Sequence, residues 1–348
     1  MPGRTAIGLD IGTSGVRAAE LSYGRDGITL EKFGQVALPE GAVRDGEVIE
    51  RGIVVDALKA LWKGSGLKGK HVALGVANQR VVVRQIDLPW MSPAELKNSL
   101  ALQVQDYLPM PVADCVLDFH VTEEVRDGAG RTLRGLLVAA PREMVMANVA
   151  AVQAAGLRVT SVDLTSFAVL RSVGRPHSEV ATEALLDIGA RVSNLVIHSA
   201  GQPRFVRVLM MGGQDVTDAV AERIGVPAFA AEAIKRGQVD GLSDDEVQLA
   251  RSAVDLMLEV FVDEIRGSLD YYGTANPAFP VERILVSGGG SILEGISERL
   301  SAVTRRPVLA GDPVSGCRLG RTGLDEHQLT TVQPLAAVPI GLALGVVS

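Results

Sequence analysis

The stretch Ala6-Ile7-Gly8-Leu9-Asp10-Ile11-Gly12-Thr13-Ser14-Gly15-Val16-Arg17-Ala18-Ala19-Glu20-Leu21 reads as two apolar strands joined by a glycine-bearing turn, with an aspartate near the end of the first strand. A second stretch, Ala184-Leu185-Leu186-Asp187-Ile188-Gly189-Ala190-Arg191-Val192-Ser193-Asn194-Leu195-Val196-Ile197, has the same shape. Superposing Asp10 on Asp187 places Leu9-Asp10-Ile11-Gly12 on Leu186-Asp187-Ile188-Gly189, about one domain length further along the chain. A third stretch, Arg283-Ile284-Leu285-Val286-Ser287-Gly288-Gly289-Gly290-Ser291-Ile292, reads as a buried strand running through three glycines into a helical pattern. Strand, glycine loop and helix start together present backbone N–H groups to an anionic or nucleotide ligand.

One such turn is an ordinary β-hairpin. Two copies and a triple glycine point instead to phosphate binding. A carboxylate beside a phosphate repels it unless a divalent cation lies between, and magnesium fits because it keeps several waters and touches only one or two carboxylates. On this reading Asp10 and Asp187 hold magnesium through water. Gly12, Gly15 and Gly189 let the backbone approach phosphate oxygens, and the Thr13, Ser14 and Ser193 hydroxyls donate to them. Arg17 either neutralises a terminal phosphate or pairs with Glu20.

Composition narrows the function class. The chain of 348 residues is 47% hydrophobic, long enough for two domains with cores of their own. Lysine and arginine number 34 against 41 acids, a net charge of −7 that argues against binding nucleic acid by phosphate neutralisation. Two distant cysteines, Cys115 and Cys317, exclude a disulfide scaffold and a multi-thiolate metal site. The histidines His71, His120, His177, His198 and His327 show no metal-ligand spacing. No secretion signal is recognisable, and the apolar stretch from Leu335 to Val347 is too short to span a bilayer.

Between the two hairpins, residues 80–156 read β-α-β-β-α. Ser92-Pro93-Ala94-Glu95 predicts an N-cap with proline at the first helical position, opening a helix that carries Leu96, Leu100, Val104 and Leu108 and stops at Pro109. In the second half, Ser243 opens a long helix whose apolar face runs from Ala250 to Tyr272.

These motifs resemble the actin, Hsp70 and sugar-kinase superfamily, which implies a two-domain α/β fold of ribonuclease H-like halves around a nucleotide cleft. The resemblance assigns Asp10, Gly12, Thr13, Ser14, Gly15 and Arg17 to the first phosphate hairpin, and Asp187, Gly189 and Ser193 to the second. It assigns Gly288, Gly289, Gly290 and Ser291 to adenosine, and Glu232 and Lys235, in Ala231-Glu232-Ala233-Ile234-Lys235-Arg236, to further nucleotide contacts. The implied cofactors are ATP or ADP and magnesium. Met211-Gly212-Gly213-Gln214-Asp215-Val216-Thr217 narrows the resemblance to the FtsA and PilM branch. Residues 84–119, with Tyr107-Leu108-Pro109-Met110-Pro111 and Leu117-Asp118-Phe119, and the later 264–272, are similar to the PilM family of type IV pilus assembly proteins.

That resemblance implies a first actin-like domain over 1–79 and 157–180 and an inserted subdomain of the FtsA/PilM type over 80–156. The second domain takes 181–348, with its own subdomain at about 215–275. It implies a cytoplasmic scaffold at the inner face of the membrane, attached by binding the N-terminal peptide of a PilN-like membrane protein in a groove between the first domain and the insertion. The connection 162–170 lacks the glutamine or glutamate that orients water in hydrolysing relatives, leaving Asp163 as the single catalytic candidate or else a helix cap, so slow or absent hydrolysis is predicted. The alternatives are an FtsA-like filament protein and a small-molecule kinase, the latter short of a candidate base.

Overall fold

The computed structural model describes residues 4–127, 130–174 and 181–346; His177 lies outside them. Strands β1 (Arg4–Ile11), β2 (Gly15–Gly24) and β3 (Gly27–Ala37) form an antiparallel meander. A short ribbon, β4 (Val43–Arg44) with β5 (Glu47–Val48), leads into helix α1 (Arg51–Ser65), which ends at Gly66 in the left-handed conformation. Strand β6 (His71–Val76) returns parallel to β1. The insertion then runs β7 (Val82–Pro89), α2 (Pro93–Gln103), β8 (Cys115–Asp127) and β9 (Gly130–Pro141). Helix α3 (Arg142–Ala154) feeds β10 (Arg158–Leu164), parallel to β6, and α4 (Thr165–Val173) leads to the second half.

There the meander recurs as β11 (Thr182–Ile188), β12 (Ser193–Ser199) and β13 (Gln202–Leu209). Helices α5 (Gly213–Ile224), α6 (Ala228–Lys235) and the 32-residue α7 (Asp244–Ala275) follow. Strand β14 (Arg283–Ser287) pairs parallel to β11, and after α8 (Ile296–Thr304) strand β15 (Val308–Ala310) pairs parallel to β14. The order β13-β12-β11-β14-β15 thus repeats β3-β2-β1-β6-β10 of the first half. The internal repeat read in the two hairpins is a repeat of whole sheets.

The chain does not end in the second half. Strand β16 (Arg318–Leu319) pairs with β3, and after α9 (Glu326–Val332) helix α10 (Ala337–Gly345) lies against β1, β2, β6 and α4. The sequence reading placed all of 181–348 in the second domain, and the difference is physical. Residues from Ala337 to Ala343 are all buried, so α10 needs cover on every side and finds it between the first sheet and α4. Two glycines make the fit possible. A Cβ on Gly8 would lie 2.0 Å from the Pro339 carbonyl oxygen, and one on Gly341 would lie 1.8 Å from that of Ala168.

The insertion has its own core of Ile86, Leu88, Leu100, Val104, Phe119, Leu133 and Leu137 under the sheet β7-β9-β8. Ser92 and Glu95 form the expected capping box. Helix α2 stops at Gln103 rather than at Pro109, since residues 105–107 tighten into a 3₁₀ turn. Helix α3, read as part of the insertion, buries Met144, Val145, Val149 and Val152 in the first-half core beside Leu58 and Leu61.

Candidate functional site

The two hairpins share one register. Asp10 faces Arg17 across β1–β2, and Asp187 faces Asn194 across β11–β12, a spacing of seven residues in both. The turns are tight. Gly12 N–H donates to the Gly15 carbonyl at 3.0 Å, and Gly189 N–H to the Val192 carbonyl at 3.2 Å. A Cβ on Gly189 would sit 2.3 Å from that same Val192 oxygen, so the turn needs glycine there.

The cross-strand partners set different electrostatics. Asp10 lies 3.5 Å from the Arg17 guanidinium; burial raises its pKa and Arg17 opposes the rise. Arg17 therefore pairs with Asp10 rather than with Glu20, and it also donates to Ser14 Oγ at 3.4 Å. Its Nε is buried with no hydrogen-bond partner, an unmet donor beside the turn. Asp187 has neutral partners, the Ser287 hydroxyl at 2.9 Å and the Asn194 amide. Burial pushes it up to about 6, and the negative charge of Asp10 adds to the rise. Two buried carboxylates from two halves of the chain repel one another, and a cation between them would relieve both. Among the described residues no group of three or more His, Cys, Asp or Glu side chains is placed to hold a metal, so the remaining ligands of a magnesium ion would be water and phosphate.

The glycine loop meets the second hairpin directly. Gly288 has φ 82°, and a Cβ there would lie 2.4 Å from the Ile188 carbonyl oxygen. A Cβ on Gly290 would lie 2.4 Å from the Ile188 side chain. Gly289–Ile292 form a 3₁₀ turn closed by Ser291 Oγ donating to the Gly288 carbonyl at 2.7 Å. Glu232 and Lys235 pair at 2.5 Å. Lys235 Nζ donates to the Gly213 carbonyl and to Thr217 Oγ1, each at 2.9 Å, while the Thr217 hydroxyl donates to Glu232 at 2.6 Å. Burial pushes the Glu232 carboxyl up, and the hydrogen bonds from Lys235, Thr217 and Arg236 more than offset it, leaving the pKa below its ordinary value. The Gly213 Cα position would put a Cβ 3.6 Å from Lys235 Nζ and 3.8 Å from Gly290. Glu232, Lys235 and the triple glycine therefore converge on Gly212-Gly213.

Two expected residues are engaged elsewhere. Ser193 was read as a phosphate donor; it is fully buried and its hydroxyl donates to the Met211 carbonyl at 2.7 Å, fixing the loop before Gly212. Asp163 is bound to Arg171, whose Nε also donates to the Gly341 carbonyl at 2.9 Å. That places Asp163 against the α10 helix, and it caps no helix, since α4 has no side-chain cap. From the same connection, Thr165 and Ser166 reach the site, both donating to Asn194 Oδ1 at 3.0 Å.

The sequence assigns no site role to Asn194, Ser287, Gly212, Gly213 or Thr217, although the last three lie in the stretch that narrows the family resemblance. The Gly-Gly and the threonine were visible in the 211–217 stretch. Gly212 is where a Cβ would meet the Gly189 carbonyl oxygen at 2.3 Å, and Gly213 N–H donates to that oxygen at 2.9 Å.

Two repeated α/β halves, each offering an aspartate-bearing hairpin to a shared centre with a glycine loop beside one of them, define an actin-like two-domain fold. The chain belongs to the family of the type IV pilus assembly protein PilM, whose model matches residues 8–346. A solved PilM-PilN type IV pilus biogenesis complex is 27% identical, with both chains covered over 100% and a TM-score of 0.84. The cell division protein FtsA of Pseudomonas aeruginosa is 26% identical over 90% of this chain and 84% of its own. The ethanolamine utilization protein EutJ of Carboxydothermus hydrogenoformans shares the fold at 15% identity and TM-score 0.56, over 99% and 90% of the two chains.

Proposed function

We propose that the chain binds ATP or ADP with magnesium between its two hairpins and serves as a scaffold in type IV pilus assembly. The observation that carries this is the pair of buried aspartates, Asp10 and Asp187, presented in the same register by two halves of the chain. Magnesium held near Asp10 and Asp187 through water would neutralise phosphate charge. The turns around Gly12 to Gly15 and Gly189, through backbone N–H groups other than those of Gly12 and Gly189 that close them, would bind the phosphates together with the Thr13 and Ser14 hydroxyls and Arg17. Gly288 to Gly290, Ser291 and the Glu232–Lys235 pair would hold the nucleoside. Because ligand phosphates would touch both hairpins, binding favours one spacing of the two halves over others.

Turnover is proposed to be slow or absent. Asp163 is committed to Arg171, and the hydroxyls of Thr165 and Ser166 are spent on Asn194, so the connection offers no free base for an attacking water.

The partner proposed is the N-terminal peptide of a PilN-like membrane protein, by the family membership and by likeness to the PilM-PilN complex. The junction between first domain and insertion supports a groove there. A recess lined by Arg44, Glu47, Ile49, Asn78 and Arg80 opens where the β4–β5 turn meets the start of β7. Its walls are fixed: Asn78 Nδ2 donates to the Asp45 carbonyl at 2.6 Å, and Asn148 Nδ2 to that of Gly46 at 2.9 Å. No helix among the described residues is long and apolar enough to cross a membrane, so placement at the inner membrane is proposed to come through the partner.

Calorimetric titration tests this. Magnesium-ATP is expected to bind the full chain, Asp187→Ala to weaken that binding at least tenfold, and a synthetic partner peptide to bind with an affinity that depends on nucleotide. Equal peptide affinity with and without nucleotide would remove the coupling and leave the scaffold.

A further inference from the structure

Charge is unevenly spread over this acidic chain. Residues 59–71 hold Lys59, Lys63, Lys68 and Lys70, four of the seven lysines in the sequence, and no acid. The structure gathers them. Lys59 and Lys63 are one turn apart on α1, and Trp62 Nε1 donates to the Gly69 carbonyl at 2.8 Å, which ties the loop carrying Lys68 and Lys70 back against the last turn of that helix. Arg158 joins them, since its N–H donates to the Lys70 carbonyl at 2.7 Å. All five side chains are exposed and none pairs with a carboxylate within 4 Å among the described residues; the charge of Lys68 is felt by Glu20, where it opposes the rise that burial causes. Almost every other cation of the site region is paired: Arg17, Arg191 and Lys235 each hold a carboxylate.

Like charges held side by side weaken a fold, so five unpaired cations at one edge call for an external anion. They lie at the N-terminal ends of β6 and β10, opposite the ends that lead to the hairpin turn and to α4. A ligand in the cleft is therefore out of their reach. We propose that this edge rests on an anionic bilayer surface. The inference rests on the proposed placement at the inner membrane, and it supplies what that placement lacks: a second, weak contact beside the partner peptide. Each lysine or arginine close to an anionic leaflet raises partitioning roughly fivefold, within about one Debye length, so the edge would hold the chain flat against the lipid without anchoring it alone.

Vesicle sedimentation with the full chain, in the absence of any partner, tests the edge separately from the partner reading, which peptide titration in solution tests. Vesicles with one-third phosphatidylglycerol at 50 mM salt are expected to carry the protein down, and pure phosphatidylcholine vesicles or 300 mM salt to release it. Lys63→Glu with Lys68→Glu is expected to lower binding roughly 25-fold or more with a Tm equal to or above the parent's and unchanged nucleotide affinity, and the milder pair Lys68→Gln with Lys70→Gln to lower it severalfold. Equal binding to neutral vesicles, no binding to anionic ones, an unaffected charge-reversal variant, or release of the protein by mixed-sequence duplex DNA would each overturn the proposal.

Discussion

Arg191, in the turn of the second hairpin, reaches across to Glu40 of the first half at 3.2 Å while holding Asp215 at 3.0 Å and Asp218 at 2.6 Å. Its three partners are not equal. Glu40 is 70% exposed, so its arm of the network contributes at most about 1 kcal/mol, whereas Asp215 also caps the start of α5 by accepting from Gly212 N–H at 2.7 Å. Glu40→Gln is expected to leave Tm within about 1 °C, and Arg191→Ala to lower it by about 2 to 4 °C. A double-mutant cycle should give a Glu40–Arg191 coupling below about 1 kcal/mol that disappears in 0.5 M salt. A coupling well above that would mean that this pair, rather than ligand, holds the halves together.

The carboxyl of Asp187, raised from 3.8 to about 6, makes stability pH-dependent in a defined direction. The folded chain binds this proton more tightly than the unfolded one, so stability falls as pH rises from about 4 to about 6, and the cost is complete above that. The difference corresponds to about 3 kcal/mol as an upper figure. Asp187→Asn should therefore raise the Tm of the ligand-free chain at pH 8, with the gain shrinking to nothing near pH 4, while abolishing stabilisation by magnesium-ATP. Thermal melts across pH with and without nucleotide check it; a variant less stable than the parent at pH 8 would show that the ionised carboxylate is already compensated.

Helix α10 is seated by close approach, so glycine substitutions should separate cleanly. Gly341→Ala and Gly8→Ala each force a methyl into a backbone carbonyl, within 1.8 and 2.0 Å, and are expected to cost about 3 kcal/mol or more. Gly52→Ala, inside α1 with nothing within 4 Å, is expected to stabilise by about 0.5 to 1 kcal/mol. Urea unfolding of the three variants gives the comparison, and similar effects at all three positions would contradict the packing described.

The two aspartate-bearing hairpins were more legible in the sequence than the ends of the domains. Asp10 and Asp187 were legible because a strand, an aspartate and a glycine turn recur as a local pattern, and Gly288 because only glycine takes φ 82° against Ile188. Asn194 and Ser287 were not, since a polar residue in a strand carries no mark of the carboxylate it will face across the sheet. Nor did anything local say that α10 returns to the first sheet. Its all-round apolar character demanded burial, but the choice of neighbour is made by Gly8 and Gly341, more than three hundred residues apart in the chain. The engagement of Asp163 was hidden for a related reason: its partner Arg171 sits eight residues on, and their joint orientation toward Gly341 follows from that same return.

Asp163 also gives the sharpest test of chemistry. If it oriented an attacking water, Asp163→Asn would slow phosphate release by orders of magnitude while leaving nucleotide affinity alone. Engaged with Arg171 against α10, it should leave both the release rate and the nucleotide affinity as they are. Asp163→Asn is expected to leave the low rate of phosphate release unchanged and to lower stability by about 1 to 3 kcal/mol, because the Arg171 guanidinium loses its anionic partner while keeping the Gly341 carbonyl. Arg171→Met should lower stability similarly, and the two together by less than the sum, the mark of a shared pair. A release rate that drops with Asp163→Asn but not with Arg171→Met would return Asp163 to the reaction.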